Sequence, residues 1–282
     1  MIPGFRSVTK RNPCPLCQRP DWCLIRHDRA AVICPRTVSA RQWGEAGFFH
    51  VIDENTYRLS APSRAPMQIP PCIDAGRISE GFELAITAEQ IRTLAANLGV
   101  SAQSLCALNI GWSDRHDAFT FPMRNQLAQP IGIRLRKIDG FKFAVSGSRN
   151  GLFIPGIQWG DEVWIVEGPT DCAAALTLEL PAIGRPSCSA AVDMTVGFCR
   201  GKSVTIIGNY DEPKTRPDGS TFYPGQDGTA VLADALAGAA ALVRVIYPRT
   251  GKDVRQWLAA GATNEEVRAV ADNAGSWTRR AA

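Results

Sequence analysis

From Trp159 onward, short apolar runs alternate with amphipathic stretches: EVWIVE, TDCAAALTLEL, a brief apolar segment near Ala182, AAVDMTVGFC, SVTIIGN, GTAVLADALAGA, ALVRVIYP and KDVRQWLAAG. The pattern predicts strand, helix, strand, helix, strand, helix, strand, helix, which is the signature of a mainly parallel sheet covered on both faces by helices. Functional groups are then expected at the carboxyl ends of the strands. Upstream, ITAEQIRTLAANL has helical periodicity behind a Thr87-x-x-Gln90 capping signal, and SAQSLCALNIGW predicts a second short helix running into a strand. Between these and the N-terminal segment, residues 60–77 carry four prolines, which interrupt helices and central strands alike and predict a linker.

The expected architecture is α/β: an N-terminal β-ribbon (1–55), a linker (56–80), a small α+β basic subdomain (81–158), a mainly parallel sheet flanked by helices (159–262), and a C-terminal helix and tail (263–282). A chain of 282 residues with 45% apolar residues supplies enough material for more than one core. No run approaches the ~18 consecutive apolar residues of a membrane span, and MIPGFRSVTKRNPCP lacks the apolar core of a signal peptide. A cytoplasmic protein with no membrane partner is expected.

Composition changes this picture at two points. Four of the nine cysteines crowd into residues 14–34. Cys14-Pro-Leu-Cys17 forms a knuckle, and WCLIRHDRAAVIC reads as a hairpin turning near His27-Asp28-Arg29, which sets Cys23 opposite Cys34. Four thiolates at this spacing suit a closed structural zinc site, and so small a segment needs a metal clip to fold. His27 and His50 are alternative donors to Cys23. The other five cysteines, Cys72, Cys106, Cys172, Cys188 and Cys199, sit in apolar or small-residue surroundings and are read as inert.

Charge is the second point. The net charge is only +4, but residues 1–50 hold eight Lys/Arg against three Asp/Glu, and residues 124–149 hold six against one. Such stretches suit a polyanion as well as a solvated face. Arg134 and Arg136 alternate with Ile133 and Leu135, so on a strand both guanidinium groups share one face, an arrangement suited to phosphate.

The acidic residues complete the motif. Glu167 ends an apolar strand, Gly168-Pro169-Thr170 is read as a turn, and Asp171 as the start of a helix. VTIIGNYD places Asn209 and Asp211 just past a second strand, and LVRVIYP is followed by Asp253. Together these strand ends resemble the Toprim pattern, in which a Glu, an Asp-x-Asp pair and a later acidic group bind magnesium for phosphoryl transfer. The segment FPMRNQLAQPIGIRLRKIDGFKFAVSGSRNGLFIPG resembles the stretch that precedes the Toprim module in bacterial-type DNA primases. Zinc ribbon, basic module and Toprim-like module follow one another in the primase order over roughly residues 10–262.

The resemblance implies a metal-dependent nucleotidyl transferase that joins ribonucleotides on a single-stranded DNA template. Glu167, Asp171, Asp211 and Asp253 are its catalytic candidates, and Glu167, Asn209, Asp211 and Asp253 its ligands for Mg²⁺ or Mn²⁺. Arg124, Arg134, Arg136, Lys142 and Arg149 would hold template and nucleoside triphosphates, and Cys14, Cys17, Cys23 and Cys34 would hold Zn²⁺. Nothing in the 282 residues resembles a helicase, so a replicative helicase would be a separate chain, as expected of a phage or mobile-element protein. Three features depart from the family. Asn209 stands where an Asp is usual, Arg255 stands where a second acid is usual, and EPKTRPDGSTFYPGQDG lengthens the loop after Asp211, bringing Asp218 and Asp227 as substitute carboxylates. A Toprim nuclease using the same acids, and a non-catalytic zinc-ribbon protein that binds single strands, are the alternative readings.

Overall fold

The computed structural model describes residues 4–43, 47–54, 56, 73–215 and 219–278. The chain divides into two compact units, residues 1–68 with 212–223 and residues 69–211 with 224–282.

In the first unit β1 (Phe5–Ser7), β2 (Leu24–Arg26), β3 (Ala31–Cys34) and β4 (Phe48–Val51) form an antiparallel sheet in sequential order. The β2–β3 register pairs Leu24 with Ile33, one step inside Cys23 and Cys34, and Arg29 takes a left-handed conformation in the turn. Strand β3 is buried on both sides. Val32 and Cys34 pack with Val8, Cys14, Cys23 and Ile25, while Ala31 and Ile33 pack with Phe5 and Phe49. Each of these cores is a handful of side chains, too little apolar area to hold the sheet without a further clip.

The second unit opens with α1 (Ala75–Ala85), whose N-cap Asp74 accepts from the Arg77 N–H. Residues 75–80, expected in the linker, are therefore helical, because Asp74 supplies a start signal beyond the last proline. Residues 57–72 of that stretch lie outside the described residues. Helix α2 (Ala88–Leu98) carries the expected capping box between Thr87 and Gln90 and ends at Gly99, and α3 (Ala102–Ala107) leads into β5 (Gly111–Ser113). β5, β6 (Ala118–Arg124), β7 (Pro130–Arg136) and β8 (Lys142–Ala144) form an antiparallel meander. Pro122 lies beyond the reach of β5, where β6 has only β7 as a partner, so its missing N–H costs no ladder bond.

The parallel sheet is built from β9 (Glu162–Glu167), β10 (Ala182–Arg185), β11 (Ser203–Ile207) and, last in the chain, β14 (Leu242–Ile246), in the order β10-β9-β11-β14. Helix α4 (Gly168–Thr177) follows β9 and α5 (Val192–Phe198) follows β10. A two-stranded hairpin, β12 (Lys214–Thr215) and β13 (Thr221–Phe222), precedes α6 (Pro224–Leu236). This hairpin belongs to the first unit. Helix α6 starts four residues before the expected Gly228, since Pro224 is preorganised for a first helical turn. Helices α7 (Val254–Ala259) and α8 (Asn264–Asp272) complete the fold.

Strand β9 shows why the sheet is covered twice. Val163 and Ile165 join Ile183, Val204, Ile206 and Val243 beneath α6, whereas Trp164 and Val166 join Ile207 and Ile246 in the core that includes α4, α7 and the β6 residues Phe119, Phe121 and Met123. The meander and the parallel sheet therefore share one core. Trp164 and Trp257 are 1% exposed, and a buried aromatic of this size contributes about 3 kcal/mol or more through burial. Arg268 clasps Glu162 through two hydrogen bonds of 3.0 Å and lies over the Trp164 ring, fixing α8 against the start of β9. Among the described residues, no helix is long and apolar enough to cross a membrane.

Candidate functional site

The first site is the thiol cluster. The Sγ atoms of Cys14, Cys17, Cys23 and Cys34 all lie within 4.8 Å of one another, with Cys17 to Cys23 at 3.5 Å and Cys23 to Cys34 at 3.6 Å. Burial and the neighbouring sulfurs of Cys17, Cys34 and Cys14 push the Cys23 thiol up. For Cys17, desolvation is outweighed by the Arg19 N–H, Cys23, Cys14 and Arg36, which bring it down to about 7. Four packed sulfurs of this kind are a closed tetrahedral donor set that a soft divalent cation relieves, and they fit structural zinc. Arg36 reaches over two of them, 3.8 Å from both Cys17 Sγ and Cys23 Sγ, while paired to Asp21 at 2.6 Å. The histidines take no part: His50 Nε2 is 2.9 Å from the Thr37 carbonyl, and His27 is exposed in the hairpin turn.

The second site is a cleft of about 240 Å³ at the carboxyl end of the parallel sheet, within the second unit. β9 is the strand from which the order reverses, with β10 on one side and β11 on the other, so the loops leaving β9 and β11 part there. Its walls include Glu167, Asp171, Asn209, Asp211 and Asp253, together with Arg134, Lys142, Lys252 and Arg255.

Each acid is delivered by local backbone chemistry. Gly168 has φ +84, a conformation that lets strand pass into helix within one residue. Helix α4 accordingly begins at Gly168 with Glu167 as its N-cap and Pro169 in the first positions, and Asp171 falls inside the first turn rather than at the helix start. The expected three-residue turn is replaced by this junction because Pro169 already has helical φ. Asn209 and Asp211 follow β11. There the Tyr210 N–H donates to the Lys252 carbonyl, Tyr210 stacks on Tyr247, and a Cβ at Gly225 would come within 2.6 Å of the Asn209 carbonyl and 3.0 Å of Asp211 Oδ2. Asp253 is the N-cap of α7, with Oδ1 accepting from the Gln256 N–H at 2.9 Å.

Burial and mutual repulsion outweigh the neighbouring cations at two of these acids. Burial, then Asp211, raises the Glu167 carboxyl, against Arg185, Lys142 and the Cys188 N–H. Burial and Asp253 raise Asp171 to about 8, against Arg255 and Lys142. Asn209 Oδ1 is buried with no hydrogen-bond partner, an uncommon and costly state for an amide oxygen. Hard oxygen donors beside an orphaned acceptor fit magnesium or manganese.

The basic residues divide. Arg134 and Lys142 line the cleft, and desolvation followed by Arg136 lowers the Lys142 amine. Arg136 is 8% exposed, with its Nε buried and unpaired. Arg124 does not line the cleft: its guanidinium donates to the Ala128 carbonyl and to Asn109 Oδ1, which ties β6 to its own turn. Arg149 is exposed and outside the cleft lining. Asp227 lies in the first turn of α6, away from the cleft lining, and Asp218 lies outside the described residues.

Arg185 is a residue that motif reading misses. It ends β10 in register with Glu167, is 4% exposed, and donates from Nε and Nη2 to the Ala190 carbonyl. The available signal was a charge closing the apolar run AIGR beside a strand that itself ends in an acid.

A parallel sheet carrying acids at its carboxyl edge shares a core with an antiparallel meander, and the chain also carries a four-thiolate ribbon. No protein-family model matches the chain, and no curated protein matches it. Solved structures do. The Aquifex aeolicus primase, comprising zinc-binding and RNA polymerase domains, aligns with 98% of this chain and 80% of its own, at TM-score 0.55 and 11% identity. A DnaG primase catalytic domain bound to single-stranded DNA aligns with 72% of this chain and 78% of its own, at TM-score 0.54 and 13% identity. The E. coli primase catalytic core aligns with 72% and 79%, at TM-score 0.53 and 12% identity. The chain thus has the fold of the bacterial DNA primases, including their zinc-binding part.

Proposed function

We propose that this protein is a DNA primase that synthesises short RNA primers on a single-stranded DNA template, with the cleft of the second unit as a Toprim-type active site. The observation that carries the reading is the convergence of Glu167, Asn209 and Asp211 with Arg134, Lys142 and Lys252 in one cleft at the sheet's carboxyl edge. Acids for a hard cation and basic side chains for phosphate line one cleft, which is what nucleotidyl transfer from a nucleoside triphosphate requires.

Magnesium or manganese held there supplies charge neutralisation for a triphosphate and polarisation of a primer hydroxyl. Glu167, Asn209, Asp211 and Asp253, which all line the cleft, would provide the oxygens that hold it. Arg185 holds Glu167 toward its ionised form from the neighbouring strand. Lys142 and Arg134 orient phosphates, and Asp171 keeps the floor of the cleft polar. Arg136, whose charge acts on Lys142, adds positive potential for phosphate, and Arg149, exposed outside the cleft, would meet template rather than nucleotide. Zinc on the four cysteines is structural, and the ribbon's part is template choice. Resemblance also suggests a phage or mobile-element setting in the cytoplasm, with a replicative helicase on another chain.

The test is an incubation of the zinc-loaded protein with single-stranded DNA, ribonucleoside triphosphates and magnesium or manganese, with products resolved by size. Template-dependent oligoribonucleotides that disappear in Glu167→Gln are expected. Shortened template would mark the protein as a nuclease, and retention of intact template without synthesis would mark a binding module.

A further inference from the structure

The ribbon displays a large apolar side chain that its own packing does not use. Trp22 is 71% exposed, and among the described residues no aromatic ring packs on it, whereas Trp43 of the same unit lies against Phe49 at 5.4 Å. Its backbone is unfavourable as well. Trp22 has φ 61, and the Cys23 N–H donates to the Asp21 carbonyl at 2.8 Å, closing a three-residue turn in its strained, left-handed form. Burial of the indole does not offset that strain, so the side chain is held out for a contact the ribbon itself does not supply.

Arg36 pins this turn. It donates from Nη1 to the Asp21 carbonyl at 2.9 Å and from Nη2 to Asp21 Oδ1 at 2.6 Å, while Nη1 lies 3.8 Å from both Cys17 Sγ and Cys23 Sγ. The carbonyl that closes the turn is therefore gripped by the same guanidinium that reaches over the thiol cluster. A planar fork of this kind fixes the direction of what it holds. The charge around the turn points to what the indole meets. The two acids within residues 4–43 are both neutralised, Asp21 by Arg36 and Asp28 by Arg26 at 3.1 Å, while Lys10, Arg11 and Arg19 are exposed. A positive surface that carries an open π face suits single-stranded nucleic acid, whose phosphates the cations attract and whose bases stack on the ring.

We propose that Trp22 is a stacking platform for one nucleobase of single-stranded DNA, and that Arg36 is the residue that positions it. The inference rests on the reading of the protein as one that works on a single-stranded template. It goes further by naming the side chain that meets a base and the grip that aims it. Stacking of this kind accepts any base, because every base has a π face.

The experiment is a binding titration of the zinc-loaded full chain, without nucleoside triphosphates, read by fluorescence anisotropy. Two labelled strands of equal length are compared, an oligothymidylate and its abasic counterpart, which has the same phosphates and no bases. Trp22→Ala is expected to weaken binding of the oligothymidylate about tenfold and to leave the abasic strand unchanged, with Trp22→Phe keeping most of the affinity. Arg36→Lys, which keeps the charge and loses the fork, should show the same strand-selective loss to a smaller degree in protein that retains its zinc. If that variant loses zinc, Asp21→Asn decides in the same way, since it removes the ion pair and leaves the thiol contacts. Equal loss on both strands in Trp22→Ala would mean that the side chain only shapes the ribbon, and no loss on either would mean that it meets something other than DNA. Each overturns the proposal, and wild-type binding of both strands by the deciding Arg36 or Asp21 variant would overturn the positioning role. Failure of the wild type to bind either strand would bring down the single-strand reading as well, whereas a Trp22→Ala protein indistinguishable from the wild type would leave that reading standing.

Discussion

The thiol cluster and the acidic cleft are both metal-type donor sets, yet they are built on opposite principles. In the first unit the four sulfurs are the core: Cys14, Cys23 and Cys34 are 0–1% exposed and pack directly with Val8, Ile25 and Val32. Donor geometry there is inseparable from folding. In the second unit the donors hang from the edge of a sheet whose large apolar core is complete without them. That independence lets the cleft keep unmet needs, among them an orphaned amide oxygen, a carboxyl raised to about 8 and an unpaired guanidinium nitrogen. Unmet polar groups of this kind suit the exchangeable cation proposed for the cleft, whereas the ribbon's donors are bound up with its fold.

The comparison breaks most visibly on zinc removal. Chelation, or Cys34→Ser, is expected to unfold β1–β4, seen as loss of amide protection over residues 5–51, while protection in β9 and β11 persists. The loss corresponds to roughly 10 kcal/mol of metal-coupled folding. Equal loss in both units would remove the distinction drawn above.

A smaller effect is expected from pH on protein kept free of magnesium and manganese. Asp171 has an ordinary value near 4 when unfolded and about 8 when folded, so between those values the folded state binds the extra proton. Its contribution to stability is present below about pH 4 and declines as pH rises toward 8, on the order of a few kcal/mol. The denaturation midpoint should fall across that window, and Asp171→Asn should flatten the slope.

Asn209→Asp sharpens the exchange site. A third charged oxygen beside Glu167 and Asp211 should tighten metal binding about tenfold and move the activity optimum to lower magnesium. Loss of binding would mean the site is organised around the amide. The smallest effect separates two of the basic residues. Arg124→Ala should cost about 1–3 kcal/mol of stability through its lost contacts to Asn109 and Ala128 with nucleotide affinity unchanged, whereas Lys142→Ala should weaken nucleotide binding with little change in denaturation midpoint.

Much of this was legible in the chain. The Thr87–Gln90 capping box, the strand EVWIVE, the hairpin setting Cys23 against Cys34 and the acids past β9 and β11 all follow from short-range rules, because each depends on residues within a few positions of one another. What stayed hidden depends on partners far along the chain. Arg124 sits within the basic stretch and reads as a phosphate ligand, and its bonds to Asn109 and Ala128 are not visible in the sequence. Arg185 matters through a strand pairing with Glu167 that no local pattern announces. Helix α1 was obscured by the prolines before it, although Asp74 three residues ahead of Arg77 carried the start signal.

The β12–β13 hairpin, which belongs with residues 1–68 although it leaves the polypeptide between β11 and α6, makes the first unit discontinuous. During synthesis the zinc ribbon emerges first but waits for about a hundred and fifty further residues before its last piece is translated. For anyone exchanging modules between related genes, a cut near residue 68 would carry over only part of the ribbon's unit and strand the remainder in the host protein.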